Sequence, residues 1–273
     1  MTDTSPTPDR SVPPELDTSA PHSARVVNYW LGGKDHFQAD RDAGDEIIRT
    51  NPHMYAIARA SRAFLVRTVT HLAGTAGVRQ FLDVGTGMPT ANNTHEVAQA
   101  VAPESRVVYV DHDPLVLTHA RALLVGTPEG ATDYIDADLR DPDTILEGAA
   151  RTLDFTEPVA LMLMGILGHI TSDSEALAIV GRLLDALPSG SYLTVCDDTN
   201  VVNGEAMDAM VRHWNETGTN TRVNRHPDQL ARFFDGLDLV EPGLVSVPFW
   251  RPEDPEVGAA TAVDHYGAVG RKP

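Results

Sequence analysis

The residues best suited to do chemistry are two glycines, Gly85 and Gly87, which follow an apolar run that contains Asp83. Glycine permits a sharp turn and lets the backbone approach a ligand closely. A strand-to-helix turn of this kind offers bare N–H groups and the positive end of a helix to a polar ligand. Met88 stands where a dinucleotide fingerprint needs a further glycine, so the turn, with Thr86 in it, is predicted to bind a polar ligand other than a dinucleotide.

Two acids after the next apolar run form a second candidate group. The β-branched run Arg106–Asp111 ends in a carboxylate, about 20 residues beyond the glycines, where a βαβ unit places a ribose-binding acid. Asp113 precedes Pro114, which is the pattern of a helix N-cap followed by proline at the first helical position. Asp111 is therefore predicted to accept the ribose hydroxyls and Asp113 to cap a helix.

Three segments of the chain resemble the first three cofactor motifs of the class I S-adenosylmethionine-dependent methyltransferases. In chain order they are Asp83–Gly87, Val110–Pro114 and Asp136–Pro142. More narrowly, the chain resembles a bacterial group within that class, the S-adenosyl methyltransferases, through residues 25–35, 93–96 and 266–272. The resemblance extends from about Ser23 to the C-terminus. It is specific for the family and does not identify the methyl acceptor.

The resemblance implies S-adenosyl-L-methionine as the cofactor and assigns roles to individual residues. Three acids compete to accept the adenine amino group: Asp136, Asp138 and Asp141. Their position favours Asp138, with Asp136 as the alternative, although all three acids also suit turns. The implied cofactor-binding residues are Arg62, which would reach the cofactor's carboxylate, and Asp83, Gly85, Thr86, Gly87, Asp111, His112, Asp138 and Leu139.

Strands alternate with helices along the chain, which predicts an α/β domain. The resemblance implies a three-layer, Rossmann-like sandwich with a mostly parallel seven-stranded sheet, in the order 3-2-1-4-5-7-6, and an N-terminal helical extension. Residues 1–22 are poor in large apolar side chains and are predicted to be a disordered tail. Residues 23–273 are predicted to form one domain, with the helical extension in 23–75 and the Rossmann-like core in 76–273.

The sequence also predicts the positions of individual side chains and strands. A helical period over residues 53–73 leaves Arg67 on a solvated face, and Thr94 is expected to cap the helix after the glycine turn. The third strand is expected to be short, near residues 134–135. Residues 239–249 and 265–270 are expected to form two final strands, paired antiparallel in the family.

The extension combines aromatic side chains with a Gly32-Gly33 break, which suits either a lid over the site or a static helical cap. Methyl transfer requires little beyond alignment of the acceptor and, in some cases, removal of a proton. The candidates for positioning or proton removal are Tyr29, Asp35 and His36 on the extension and His169 after the fourth strand. Each of the four also suits a structural role.

Composition narrows the classes of function. The formal net charge of −18 and the pI near 4.8 disfavour nucleic acid and anionic membranes as partners. The single Cys196 fits a reducing cytoplasm, and neither an apolar run long enough to span a bilayer nor a secretory signal occurs. The histidines lack zinc-site spacing, so no catalytic metal is expected.

Three functions remain open. The favoured one is a methyltransferase with a small-molecule acceptor. The alternatives are a non-catalytic S-adenosylmethionine sensor or partner-binding protein, and a nicotinamide-dependent oxidoreductase, which the absent glycine disfavours. The sequence leaves the oligomeric state open.

Overall fold

A computed structural model describes residues 17–273 except Leu124, Thr219 and residues 253–259. Most of the predicted disordered tail, residues 1–16, therefore lies outside the described residues, as does much of the Pro/Glu-rich loop before the last strand. The described end of the tail contacts the first helix. There the guanidinium of Arg25 donates to the carbonyl oxygens of Asp17 and Ala20, at 3.1 and 2.7 Å.

A mixed sheet forms the centre of the molecule. Its strands are β1 (Gln80–Val84), β2 (Arg106–Asp111), β3 (Ala131–Asp136), β4 (Ala160–Met164), β5 (Tyr192–Asp198), β6 (Asp238–Leu239), β7 (Val245–Ser246) and β8 (His265–Arg271). The order is β3-β2-β1-β4-β5-β8-β6, and β7 also pairs with β8. The strands β1 to β5 run parallel, whereas β8 is antiparallel to its neighbours. The predicted fold class and strand order are confirmed.

Two strand boundaries differ from the prediction. The expected strand over residues 239–249 is two short strands, so the described sheet has eight strands. Pro242 lacks an N–H for a ladder bond, and Gly243 turns the chain with a φ of +83°. Strand β3 is longer than expected, because Thr132 and Asp133 pair with β2 at the sheet edge, where polar side chains are tolerated.

Helices cover both faces of the sheet. They are α1 (Ser23–Trp30), α2 (Gln38–Thr50), α3 (Met54–Gly74), α4 (Thr94–Val101), α5 (Pro114–Leu123), α6 (Pro142–Ala149), α7 (Asp173–Asp185), α8 (Gly204–Thr217) and α9 (Pro227–Ala231). One apolar cluster joins α6, α7 and α9 to the sheet, and a second joins α3 and α4 to the opposite face. Within the described part of the chain, none of the helices combines the length and apolar character that crossing a bilayer requires.

Two local predictions about α3 and α4 were wrong. Arg67 is not on a solvated face, because its Nε and Nη2 donate to the carbonyl oxygens of Trp250 and Val247, both at 2.7 Å. The residue that caps α4 is Asn93 rather than Thr94. Thr94 is the first helical residue, and its buried hydroxyl donates to a carboxylate of β1 described below.

The predicted N-terminal helical extension, residues 23–75, contains α1, α2 and α3, and α3 packs against the sheet. The side chains of Val26, Trp30 and Ile47 pack with α3 and α8 in one buried apolar cluster. The fully buried carboxylate of Asp40 also ties α1 and α2 together, since it accepts from Nε of Arg25 at 3.1 Å. One side of the extension is therefore anchored firmly to the domain.

Candidate active site

A cavity of about 270 Å³ opens at the carboxyl ends of the parallel strands, which is where open α/β sheets bind ligands. We divide its lining into two parts. The glycine end comprises seven lining residues at or just after the carboxyl ends of β1, β2 and β3, namely Gly85, Thr86, Gly87, Asp111, His112, Asp138 and Leu139. The histidine end comprises four polar lining residues at or beyond the ends of β4 and β5 and at the start of β8, namely His169, Asp198, Arg222 and His265. Helices α1 and α3 complete the wall.

The glycine turn is held against β2 by its own backbone. Gly85 and Thr86 donate their N–H groups to the carbonyl oxygen of Val110, at 2.9 and 3.2 Å. Both glycines have positive φ, +74° at Gly85 and +66° at Gly87, a region that side chains rarely adopt. A Cβ at Gly85 would lie 2.4 Å from Cγ1 of Ile166. The first glycine is therefore required by packing as well as by conformation.

The second glycine leaves the backbone open. A Cβ at Gly87 would meet only Ala24, at 3.8 Å. The N–H of Gly87 donates to Oδ2 of Asp111 at 2.9 Å, so the turn and the end of β2 form one unit. The arrangement leaves free space at Gly87 beside a carboxylate, where a ligand with hydroxyl groups can bind.

Asp83 lies beneath this turn and is buried. Its Oδ2 accepts from the hydroxyl of Thr94 at 2.6 Å, and burial raises the pKa of the carboxyl to about 6. Arg62 lies nearby on α3 and opposes that rise. Its guanidinium lines the cavity and donates to the carbonyl oxygen of Ala91 and, at 3.1 Å, to Oδ1 of Asn93.

The two acids around the end of β2 have different contacts. Asp111 lines the cavity, and its Oδ1 accepts from the N–H groups of His112 and Asp113. Oδ1 of Asp113 accepts from the N–H of Leu115 at 2.7 Å in the first turn of α5, and its Oδ2 lies 3.0 Å from Nδ1 of His22. The separate positions are consistent with the division of roles expected from the sequence.

Only one of the three acids after β3 reaches the cavity. Asp138 lines it together with Leu139, and its Oδ1 accepts from the N–H of Arg140 at 2.9 Å. Asp136 is exposed at the end of β3, and Asp141 caps α6 through the N–H of Thr144. The geometry therefore favours Asp138 over Asp136 for contact with a ligand.

His169 stands at the cavity wall in a 3₁₀ turn, Leu167–His169, directly after β4. Its Nδ1 lies 3.0 Å from the carbonyl oxygen of Thr221. Because a carbonyl only accepts, this nitrogen carries the proton and Nε2 is an acceptor. Burial and the neighbouring Arg222 lower the pKa of His169 to about 4. A neutral ring suits positioning by a hydrogen bond better than strong base catalysis.

The other three catalytic candidates lie outside the cavity lining. The hydroxyl of Tyr29 donates to Oδ1 of Asp45 at 2.8 Å. Nε2 of His36 lies 3.1 Å from the carbonyl oxygen of Gly33. These contacts stabilise α1, α2 and the connection between them, and neither side chain belongs to the cavity lining.

Asp35 is also part of that connection. Its N–H donates to Oδ1 of Asn28 at 3.1 Å, and its carboxylate lies 3.6 Å from Nδ1 of His119. The expectation that Tyr29, Asp35 and His36 reach the reacting group is corrected: α1 turns a different set of side chains, including Val27 and Asn28, toward the cavity.

The histidine end contains a charged cluster that the sequence analysis missed. The buried carboxylate of Asp198 accepts from Nη2 of Arg222 at 2.5 Å and from Nδ1 of His265 at 2.8 Å. The three residues come from the end of β5, a loop after α8 and the start of β8. The acid after an apolar strand was a signal for Asp198, whereas no local pattern marks Arg222 or His265.

A glycine turn after β1, with Asp83 in β1, Asp111 at the end of β2 and Asp138 after β3 of a 3-2-1-4-5 sheet, is the arrangement of a class I methyltransferase. Comparisons with known proteins agree. The chain matches the S-adenosyl methyltransferase family over residues 9–273. No match was found among curated proteins.

Two crystal structures are similar over nearly the whole chain. A DUF574 family protein from Streptomyces avermitilis is 45% identical, with a TM-score of 0.90, over 94% of this chain and 99% of its own. A methyltransferase candidate from Thermobifida fusca is 42% identical, with a TM-score of 0.86, over 95% and 98%. An O-methyltransferase family protein from Burkholderia thailandensis, 15% identical at a TM-score of 0.50 over 82% and 61%, shares the fold alone.

The chain belongs to the S-adenosyl methyltransferase family. It is an S-adenosylmethionine-dependent methyltransferase, and S-adenosyl-L-methionine is its cofactor. The glycine end fits this cofactor, since the main chain at Gly87 is open and the carboxylates of Asp111 and Asp138 belong to the cavity wall. No group of three or more residues suited to bind a metal ion occurs among the residues that the structure describes.

Proposed function

We propose that this methyltransferase acts on a small molecule, which binds at the histidine end of the cavity. The observation that carries the proposal is the continuity of the cavity from the glycine end to the histidine end, beneath α1. A polymer would need an open groove, whereas α1 and α3 line this cavity from above. The strongly acidic composition adds to the case against a nucleic-acid acceptor.

The proposed cofactor contacts follow the chain. Asp111 would accept from the ribose hydroxyls, with His112 beside it. Asp138 would accept from the adenine amino group, and the N–H of Leu139 would donate to the ring. Gly85, Thr86 and Gly87 would line the methionine portion together with Asp83. Arg62 lines the cavity and interacts with Asp83, and its guanidinium suits the cofactor's carboxylate.

The cofactor supplies a methyl group on a positively charged sulfur, which is already electrophilic. The protein's part is to align the acceptor and exclude water. We propose that α1 forms the wall that excludes water. His169, neutral and fixed through Nδ1, would accept a hydrogen bond from the acceptor at Nε2.

Turnover on fractionated cell extract tests the proposal. The purified full chain is incubated with S-adenosylmethionine that carries a ¹³C-methyl group, together with small-molecule, protein or nucleic-acid fractions. We expect S-adenosylhomocysteine to form, and the label to enter a product, only with the small-molecule fraction. Label in protein or nucleic acid would contradict the proposal. Tight cofactor binding without turnover on any fraction would also contradict it.

A further inference from the structure

An apolar wall borders the cavity beside the histidine end. We define it by five lining residues: Val27 in α1, Leu31 directly after that helix, Ile57 and Ala58 in α3, and Met164 at the end of β4. Ile57 and Ala58 are 3% and 8% exposed, and they pack with α8 in one buried cluster that supports the wall from behind. A wall of this kind favours a ligand with apolar surface, because both surfaces leave water on binding.

The apolar wall lies at the ends of β4 and β5, away from the glycine turn. Ile57 and Ala58 precede Ser61 by one turn on the same face of α3, and Oγ of Ser61 is 3.8 Å from Sγ of Cys196 in β5. Sδ of Met164 lies 3.8 Å from the same cysteine sulfur. The proposed cofactor contacts, by contrast, follow β1, β2 and β3. The wall therefore borders the part of the cavity assigned to the acceptor.

The charged groups at the histidine end are compensated within the protein. Arg222 and His265 both donate to Asp198, and the buried carboxylate of Asp197 also faces them. His265 has a further side-chain hydrogen bond to Cys196. Nε of Arg222 is unpaired, but an uncharged oxygen can accept from it. A charged acceptor would enter a buried site whose described ions already face counter-ions, which is costly.

His169 favours an acceptor that donates a hydrogen bond. Its Nδ1 carries the proton, held by the carbonyl oxygen of Thr221, so its Nε2 presents a lone pair. An uncharged hydroxyl group donates to such a nitrogen, and its oxygen keeps a lone pair for the methyl group. An aliphatic amine is protonated at neutral pH and lacks that lone pair. A hydroxyl group therefore meets both requirements without a charge.

We infer that the methyl acceptor of this enzyme is an uncharged hydroxyl compound whose apolar body packs on the apolar wall. The inference rests on the proposed function, because it takes this part of the cavity as the acceptor site. In the transfer, a lone pair of the hydroxyl oxygen forms the bond to the methyl carbon, while the bond from that carbon to sulfur breaks and leaves its electron pair on sulfur. The hydroxyl proton passes to Nε2 of His169 and then to water. The products are a methyl ether, S-adenosylhomocysteine and one proton.

Probes that share a phenol hydroxyl test the inference. The full-length protein, saturated with S-adenosylhomocysteine, is titrated with uncharged para-cresol and para-ethylphenol by ligand-observed NMR. The charged counterparts are para-hydroxybenzoate for the first, and para-hydroxyphenylacetate and tyramine for the second. We expect each uncharged phenol to bind at least about tenfold more tightly than its charged counterparts. Equal or tighter binding of a charged counterpart, or binding of neither series by protein that holds S-adenosylhomocysteine, would overturn the inference.

Near-isosteric substitutions show whether the apolar wall makes the contact. Val27→Thr exchanges a methyl group for a hydroxyl, and Met164→Gln exchanges a thioether for an amide. We expect each variant to bind para-ethylphenol about fourfold more weakly, roughly the effect of one buried methylene group. The matched control is Val101→Thr in α4, outside the cavity lining, where the valine is 42% exposed against 38% for Val27. Unchanged affinity in both wall variants would contradict the inference.

The affinity of the same variants for S-adenosylhomocysteine, measured by calorimetry, separates the acceptor from the cofactor. If both wall variants bind S-adenosylhomocysteine as tightly as the wild type while they bind para-ethylphenol more weakly, the wall serves the acceptor, as inferred. If both affinities fall in parallel, the wall contacts the cofactor, and the inference is wrong although the proposed function stands. Failure of the wild type to bind S-adenosylhomocysteine would instead defeat the proposed function.

Discussion

The two ends of the cavity recognise ligands by different means. At the glycine end, the turn after β1 is fixed by main-chain bonds to Val110 and Asp111, and the carboxylates lie at strand ends. At the histidine end, Asp198, Arg222 and His265 converge from separate parts of the chain, and charged side chains make the contacts. The cofactor end is thus built from backbone and local sequence, whereas the other end depends on tertiary structure.

This difference has an energetic consequence. The glycine end is held mainly by main-chain hydrogen bonds. Apart from Asp83, it has few buried charges that depend on a partner distant in the sequence. The buried ions at the histidine end depend on each other, because loss of one leaves the others uncompensated in a medium of low dielectric. Substitutions should therefore damage the two ends in different ways.

The largest effect is expected for Asp198→Asn. Loss of this charge removes the carboxylate to which both Arg222 and His265 donate, which should lower the free energy of unfolding by about 3 kcal/mol. The matched change at the glycine end is Asp138→Asn, where the carboxylate is 42% exposed and its ion pair with Arg140 is long, at 3.5 Å. That variant should lose less than about 1 kcal/mol. Urea denaturation measures both, and similar losses would contradict the contrast.

The next prediction compares the two glycines. Gly85→Ala combines a strained φ with a clash against Ile166 and should cost about 3 kcal/mol. Gly87→Ala has a similar φ but open space around the new Cβ, so it should cost only about 1 to 2 kcal/mol. Chemical denaturation of the two variants provides the test, and a larger loss at Gly87 would show that the close contact with Ile166 is relieved cheaply.

The dependence of the free energy of unfolding on pH should reveal the raised pKa of Asp83. Its pKa is raised to about 6 by burial, so its contribution to stability is fully present below the unfolded pKa, near 4, and is lost as the pH rises through 6. Between about pH 4.5 and 7.5 the wild type should lose about 2 kcal/mol relative to Asp83→Asn. Urea unfolding at several pH values measures this difference. Asp228→Asn, 93% exposed, is the control, and pH curves that run parallel in wild type and Asp83→Asn would exclude the shift.

The smallest effect is expected for Asp113→Ala. The carboxylate caps α5 through the N–H of Leu115, and loss of such a cap costs about 1 kcal/mol. The affinity for S-adenosylhomocysteine should change little, because Asp113 does not belong to the cavity lining. Thermal denaturation and calorimetric titration report the two quantities separately. A fall in affinity at unchanged stability would reverse the roles of Asp111 and Asp113.

The same contrast between the two ends explains which parts of the structure could be predicted from the sequence. The alternation of strands and helices predicted the α/β class, and the strand order was what the family resemblance implied. That resemblance rests on three cofactor motifs, whose residues lie next to one another in the chain. Asp138 was preferred over Asp136 for the same reason, since position along a motif translates directly into position at a strand end. Local order in the sequence was sufficient for the glycine end.

Residues that meet only through tertiary structure were not predictable in this way. His265 and Asp198 become neighbours because β8 pairs antiparallel with β5 in one register, and Arg222 reaches them from a loop. Tyr29, Asp35 and His36 were misplaced for the opposite reason. They are close in sequence to residues of α1 that line the cavity, but Tyr29 bonds to Asp45 of α2, and Asp35 and His36 lie in the connection between α1 and α2, outside the cavity lining.

The division of the cavity is tested most directly by the affinity of S-adenosylhomocysteine for two variants, measured by isothermal titration calorimetry. Asp111→Ala removes the carboxylate at the glycine end, and we expect it to weaken binding by about 1.5 to 3 kcal/mol, the range for hydrogen bonds to a charged group. His265→Asn should bind within about twofold of the wild type. Unchanged affinity in Asp111→Ala together with a large loss in His265→Asn would indicate that the cofactor binds at the histidine end, and would contradict the proposed division of the cavity.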